Sequence, residues 1–360
     1  VTSSPSGVDC GSACDASFEA ETEVTLTATP DNGSTFTGWG GACSGTGSCV
    51  ITMSEAKAVS AAFTEDTVEQ QDCTGDALKT LLNGAGPVIE LDGSCHYKLT
   101  DTSGDYNHAI AWWSKNGLTV NGNGATIELD ETAGDLGIFF IAFGNNLTFR
   151  DMTIIGGRAY RSGTGVGFED RGGAMMVYDT KNLTLENILF KDNSAKQGAA
   201  LFLSANTTAA INQVTFQENV GEFDGTNSVL GGALAILWNS QVTVQNSNFI
   251  GNHADFGSSI FVNDAESNVD VVNSVFANNV ANVSGTALYN KGIGSKINHS
   301  TIWDRDFSDS RAISIRRDME VHNTIIANHA IGFSVSAVLT STNNIFSGNN
   351  SNEEIGRAHV

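Results

Sequence analysis

Arg158, Arg161 and Arg171 place three of the chain's eighteen basic residues within fourteen positions. Tyr160, Phe168, Glu169 and Asp170 stand among them, Lys196 follows, and Glu222, Phe223 and Asp224 come further on. A guanidinium is a planar fork that grips carboxylates through two bonds, and aromatic faces pack against apolar surface. These residue types suit a notch that binds a sugar or a protein ligand. Eliminative cleavage of an acidic sugar would instead need Arg158, Arg161 or Lys196 as a base, with a pKa depressed by its surroundings. A structural reading stands beside both: two loops that neutralise one another through Arg–Glu pairing. A second group, Asp304, Asp306 and Asp309 in the run DRDFSD, offers oxygen ligands to Ca²⁺ or else forms a solvated turn. The sequence has no Ser-His-Asp spacing, no phosphate loop and no histidine cluster with metal-ligand spacing. No other cofactor is expected.

What positions these residues is a repeat. The phrase F-x-x-N recurs at Phe190–Asn193, Phe216–Asn219, Phe249–Asn252, Phe276–Asn279 and Phe346–Asn349, with Ile154, Ile302 and Ile326 in degenerate copies. Between them runs a phrase of small residues closing on an apolar one, as in Gly172-Gly173-Ala174-Met175, Gly198-Ala199-Ala200-Leu201 and Gly231-Gly232-Ala233-Leu234. Two phrases alternating in register mean one unit stacked on itself. From Phe190 the apolar slots are spaced by 26, 33, 27, 26, 24 and 20 residues. Within a unit apolar residues alternate, as in Leu183, Leu185, Ile188 and Phe190, which is the strand signal. No proline follows Pro87, as interior strands that need every backbone N–H require. The pattern predicts an all-β chain whose residues 72–353 form a right-handed, single-stranded parallel β-helix, each coil about 4.8 Å above the last. The repeated asparagines are expected to form an interior amide ladder, and the glycine–alanine pairs to permit close backbone stacking.

Asp76–Asn83 has helical spacing and ends at Gly84 and Gly86, so a short helix should cap the first coil and cover its edge. This helix, the D-G…Y-x-L run at Asp92–Leu99 and the L-T-V-x-G-N-G-A-x-I run at Leu118–Ile127 resemble the first turns of the pectate-lyase-like β-helix superfamily. The alternating phrases resemble the repeats of chlamydial-type polymorphic outer-membrane proteins. The first resemblance implies a polysaccharide lyase or glycoside hydrolase working on the outer surface of the coil. The motifs that would carry such an activity are missing. N-T-D, D-D, G-H-G and R-x-K do not occur in order, and R-x-P-x-x-R needs a proline after Pro87.

Residues 1–65 differ in texture. Val24–Pro30, Phe36–Trp39, Val50–Met53 and Val59–Phe63 read as short strands, and VTLTATPDNGSTFTGWGG resembles the divergent internalin-B-type repeat. That resemblance implies a spacer module of bacterial surface proteins, with Trp39 in its core. Residues 66–71 are polar and aperiodic and form the linker.

Six cysteines fall as sequence neighbours, Cys10 with Cys14, Cys43 with Cys49 and Cys73 with Cys95, which predicts three disulfides and a secreted or cell-surface location. A net charge of −22 argues against nucleic acid as a partner, and no apolar run is long enough to span a membrane. The corner between the F-x-x-N slot and the glycine phrase is short at Ser194–Gln197 but expanded at Gly156–Asp170 and Val220–Leu230. Insertions at one corner emerge on one face, so these loops should wall a notch over Lys196, about 10 Å across. Residues 354–360 (EIGRAHV) resemble the translation of a sequencing adapter and are read as a non-native tail, with a C-terminal anchor or transporter domain expected beyond it. The expected function is that of an adhesin-like bacterial protein binding a glycan or a host or cell-surface protein. A lyase or hydrolase, and a purely structural rod, are the alternatives.

Overall fold

A computed structural model describes the chain except residues 11–13, 31–33, 66–71, 85, 102–105, 160–169, 223–227 and 356–360, and except the side chains of 34, 65, 306–310 and 353–355. The chain forms two compact units, Val1–Gln70 and Gln71–Val360.

In the first unit, strands Thr2–Ser4, Glu23–Thr27 and Cys49–Thr52 make an antiparallel sheet, and Ser34–Gly41 pairs antiparallel with Val59–Glu65. Alternation in Glu23–Thr27 sends Val24 and Leu26 inward, where they meet Trp39 and Cys49. Trp39 is core: its indole N–H donates to the Gly47 carbonyl at 2.7 Å and its ring meets Phe36 edge-on at 5.0 Å. So small a core needs staples, and Cys10–Cys14 and Cys43–Cys49 are disulfides.

The second unit opens with the helix Gly75–Leu82. Thr74 caps it by accepting from the Ala77 N–H at 3.2 Å, and its apolar stripe buries Leu78 and Leu82 against the first coil. The disulfide Cys73–Cys95 ties the entry of this helix to that coil. Beyond it, 26 described strands form one hydrogen-bonded array in which every pairing is parallel and joins a residue to its counterpart one coil later. This is a parallel β-helix. The array extends through Ser351–Ile355, where Glu353, Glu354 and Ile355 pair with Phe333, Ser334 and Val335, because main-chain pairing asks little of side-chain identity.

Three faces follow from three runs per coil. The glycine-phrase strands (Met175–Tyr178, Leu201–Ser204, Leu234–Ile236, Ile260–Val262, Leu288–Asn290) stack into the first. Strands such as Gln241–Gln245 make the second and those bearing the F-x-x-N phenylalanine the third. Inside the third face Phe190, Phe216, Phe249 and Phe276 superpose, with ring centroids 5.2, 4.8 and 4.8 Å apart and planes nearly parallel. Tyr97, Ile127 and Ile154 continue the column toward the cap, and Ile302, Ile326 and Phe346 continue it the other way. The corner after F-x-x-N holds a fourth parallel ladder: Arg158–Ala159, Ser194–Ala195, Val220–Gly221, His253–Phe256 and Val280–Ser284.

The corners are where backbone groups would go unpaired. After the phenylalanine column, Asn193, Asn219, Asn252 and Asn279 point inward as a ladder, each amide donating to the next side-chain oxygen at 2.9–3.0 Å. Each oxygen also accepts a backbone N–H of the preceding coil, as Asn252 Oδ1 does from Asn219 N at 3.1 Å. Each first glycine of the small phrase has positive φ, +59° at Gly198, where an added Cβ would lie 2.4 Å from the Leu201 carbonyl oxygen. Only glycine suits that position.

Replacing Phe249 by alanine opens a sealed cavity and should cost about 3–5 kcal/mol in urea unfolding. Asn252→Ala removes no large apolar group, yet it strips partners from the Asn219 N–H, the Phe216 carbonyl and both neighbouring amides. It should cost roughly 2–4 kcal/mol, whereas Asn246→Ala on the exposed corner should cost under about 1 kcal/mol. Equal losses at Asn252 and Asn246 would contradict the interior ladder.

Candidate functional site

Of the residues gathered from sequence for the notch, the structure describes Arg158, Asp170, Arg171, Lys196 and Glu222. Arg158 starts the fourth ladder beside Ser194, but its guanidinium turns back one coil, away from Lys196. Nη2 donates to the Asp130 carbonyl at 2.9 Å, Nη1 to Gly156 at 3.3 Å, and Nε lies 3.8 Å from an Asp135 oxygen. Three acceptors on its own and the previous coil outbid an open notch. Lys196 is buried, with Nζ 3.9 Å from Asp170. Glu222 follows the short strand Val220–Gly221, and its N–H donates to the Ala195 carbonyl. Tyr160, Arg161, Phe168, Phe223 and Asp224 lie outside the described residues, as does most of the first expanded corner and part of the second. Asp304 faces inward, with Oδ2 3.4 Å from Nδ1 of the buried His329, while the side chains of Asp306 and Asp309 lie outside the described set. Among the described residues no three carboxylates, histidines or cysteines cluster as metal ligands.

Arg171 leads to a different surface. Its guanidinium lies over the rings of Phe202 and Trp238, 5.0 and 5.2 Å from their centroids. Burial pushes its pKa below the ordinary value, opposed by the Asp170 carboxylate. Phe202 belongs to an outward-pointing column on the first face: Phe140, Met176, Phe202, Ala235, Phe261 and Tyr289 stand in register on successive coils. An outer sheet face in water normally carries polar residues at these positions. Here Phe140, Met176, Phe202 and Ala235 form a second apolar cluster outside the coil.

Exposed aromatics border it. Tyr106 stacks on Phe140 at 4.6 Å, Trp113 meets both Tyr106 and Phe140, and Phe143 links Trp113 to Tyr178. Trp113 is 46% exposed and Trp238 43%. Further along, Lys291 lies over Phe261 and Tyr289, and Arg316 over Tyr289. The fully buried His108 fixes the near end, with Nδ1 2.7 Å from the Tyr106 carbonyl oxygen and Nε2 3.1 Å from that of Gly172. Its pKa is lowered by burial, against the pull of these carbonyls. The column itself is covered, Phe140 being 3% exposed, Phe202 0% and Phe261 1%, so the flat faces open to solvent are those of the bordering Tyr106, Trp113, Phe143 and Trp238, with a few cations beside them.

The signal was in the sequence. Each small-residue phrase closes on an inward residue, and the next residue outward is apolar as well: Met176, Phe202, Ala235, Phe261 and Tyr289, with the doublets Trp112-Trp113 and Phe139-Phe140 before them. Two apolar residues in a row break the period of two, and mark strands covered on both sides.

Charged groups on the outer face of the first coils pair across coils. Lys98 lies 3.4 Å from Asp130 and 3.7 Å from Glu128, and Glu128 also meets His96. The Asp130 carboxyl is held down to about 2, first by the Thr132 hydroxyl and N–H and then by Lys98. These are exposed, screened pairs that brace the first coils.

Residues 2–67 match the family model of the divergent InlB B-repeat domain. The metabotropic glutamate receptor-like protein R of Dictyostelium discoideum is 32% identical over 98 residues, which span 27% of this chain and only 6% of that protein. PfbA, a surface adhesin of Streptococcus pneumoniae, aligns over 78% of this chain and 88% of its own at 12% identity and a TM-score of 0.33. ORF18 of Geobacillus virus E2 aligns over 82% of this chain and 59% of its own at 10% identity and a TM-score of 0.38. None of these likenesses assigns a ligand or a reaction.

His329 stands three residues after Ile326, in the slot asparagine fills elsewhere, and burial holds its pKa down to about 4 despite the nearby Asp304. The folded state thus prefers neutral imidazole, while the unfolded chain takes a proton near pH 6.5. Stability should be full above about pH 6.5 and fall by roughly 3 kcal/mol as pH drops toward 4. His329→Asn, which restores the ladder residue, should remove that component from the pH dependence of urea unfolding. A slope in this window that the variant leaves unchanged would rule the assignment out.

Proposed function

We propose that the chain is part of a secreted or cell-surface, adhesin-like protein whose β-helix binds a glycan along the aromatic strip without cleaving it. One observation carries the reading: exposed Tyr106, Trp113, Phe143 and Trp238 stand along one outer face, beside a buried apolar column held in register. Isolated exposed aromatics are unremarkable, but several gathered on one face mark an interaction site. The ring faces carry partial negative charge, which suits the C–H-rich faces of sugars. Two further observations support the setting. Residues 2–67 match a divergent InlB B-repeat domain, and the second unit follows that module in the chain. All six cysteines are paired, as in proteins that fold in oxidising compartments.

Catalysis finds less support. Arg158 is engaged by carbonyls, Lys196 pairs with Asp170, and the strip presents rings rather than a pair of carboxylates.

The test is binding of the intact chain to an immobilised panel of neutral and acidic oligosaccharides, followed by calorimetry on the hits. Trp113→Ala and Trp238→Ala should each weaken binding by about threefold to tenfold, as expected for loss of one stacking face. Affinity indifferent to both substitutions would move the site elsewhere. Release of new reducing ends or unsaturated sugars would favour the lyase or hydrolase reading. Capture of proteins but no sugars would favour a protein ligand.

A further inference from the structure

We infer that the far end of the aromatic strip is an anion subsite, and that the glycan it takes is a largely neutral chain ending in a sugar with a single carboxylate. This rests on the glycan-binding reading above and adds the class of ligand.

Lys291 and Arg316 follow strands Leu288–Asn290 and Thr301–Ile315, which pair in register, and the Arg316 N–H donates to the Asn290 carbonyl at 2.8 Å. The two residues are therefore neighbours on successive coils. Both cations lie over the same ring: Lys291 Nζ is 5.7 Å and Arg316 Cζ 5.5 Å from the centroid of Tyr289. Like charges opposed on adjacent strands destabilise a sheet unless something compensates. Several other cations on the outer surface have acids beside them: Lys98 has Glu128 and Asp130, Lys191 has Asp192 and Glu218, and Lys296 has Glu320. Lys291 instead reaches Asn263 Oδ1 at 3.4 Å, and Arg316 donates to Ser336 Oγ at 2.7 Å. Neither makes an ion pair with a described carboxylate, on a chain with 40 acidic and 18 basic residues. The Arg316 fork keeps further donors for a planar carboxylate, and Lys291 supplies a second point charge beside it.

The same surface limits how much charge the ligand carries. Toward Trp238 and Trp113 the exposed side chains are largely aromatic, and Arg171 lies on Phe202 and Trp238 with Asp170 nearby. A polymer charged at every sugar would meet cations at one end and the field of a −22 molecule elsewhere. A neutral chain with one terminal carboxylate meets the exposed Trp238 ring along its length and cations at its tip. Trp238 and Lys291 are two coils apart, about 10 Å along the stack, within reach of a short oligosaccharide.

Titration calorimetry on the intact chain with sialyl-lactose, lactose and polygalacturonate tests this. Sialyl-lactose should bind at least tenfold more tightly than lactose, and more tightly per chain than polygalacturonate. Lys291→Gln combined with Arg316→Gln keeps polar stems over Tyr289 and should bring the two lactose sugars within about twofold, with an unchanged circular dichroism spectrum. Arg316→Lys should retain part of the preference, which separates charge from folding. Equal binding of both lactose sugars, lost in Trp238→Ala, would overturn the anion subsite and leave glycan binding standing. So would a preference that survives the double substitution, or tightest binding to polygalacturonate. Failure of all three sugars to bind would overturn the subsite together with the reading it rests on.

Discussion

A coil that turns three times per rung must find partners for the backbone N–H groups at its corners, where strand pairing stops. This chain answers with a side chain from the next coil. At one corner Gly144, Thr180, Thr207 and Ser240 donate their N–H groups to the hydroxyls of Thr180, Thr207, Ser240 and Ser267. At another, Val214, Ser247 and Ser274 donate to Ser247, Ser274 and Ser300. At the third the asparagine ladder does the same work with both ends of its amide. Buried polar groups are costly unless satisfied, so these residues fix where each coil bends. The phenylalanine column and the outward aromatic column are consequences, since register at the corners decides which residue of each strand meets its counterpart.

That dependence explains what was legible. The phenylalanine column and asparagine ladder are written as F-x-x-N, because one residue type recurs wherever one environment recurs. The capping helix was readable from its apolar spacing and its glycine stop. The cysteine pairs were readable because sequence neighbours are tied by short loops. The fourth ladder was not, since two-residue strands such as Ser194–Ala195 carry no pattern of their own and exist only through pairing.

The site was the less legible part for a related reason. Arg158, Arg161 and Lys196 drew attention by charge, yet charge alone does not say which coil a long side chain will reach. Arg158 finds carbonyls one coil back, and Arg171, close by in sequence, finds rings. The outward residues Met176, Phe202, Phe261 and Tyr289 sit directly beside the repeat phrase, where an apolar type does not tell the inner from the outer side. Asp304 and His329 occupy interior positions on coils where the asparagine is missing, and their burial follows from the stack rather than from their own types.

Because each coil bonds only to the one before and the one after, distances along the outer face come in whole steps of the axial repeat. The gap between Trp238 and Lys291 is two such steps. Gain or loss of one coil between them would change that gap by about 4.8 Å and leave every ring facing the same way. The stack thus works as a ruler: insertion or deletion of one unit of repeat re-spaces the surface without redesigning it. Lengthening a single corner, as at Val220–Leu230, adds residues to a coil without moving the marks on either side.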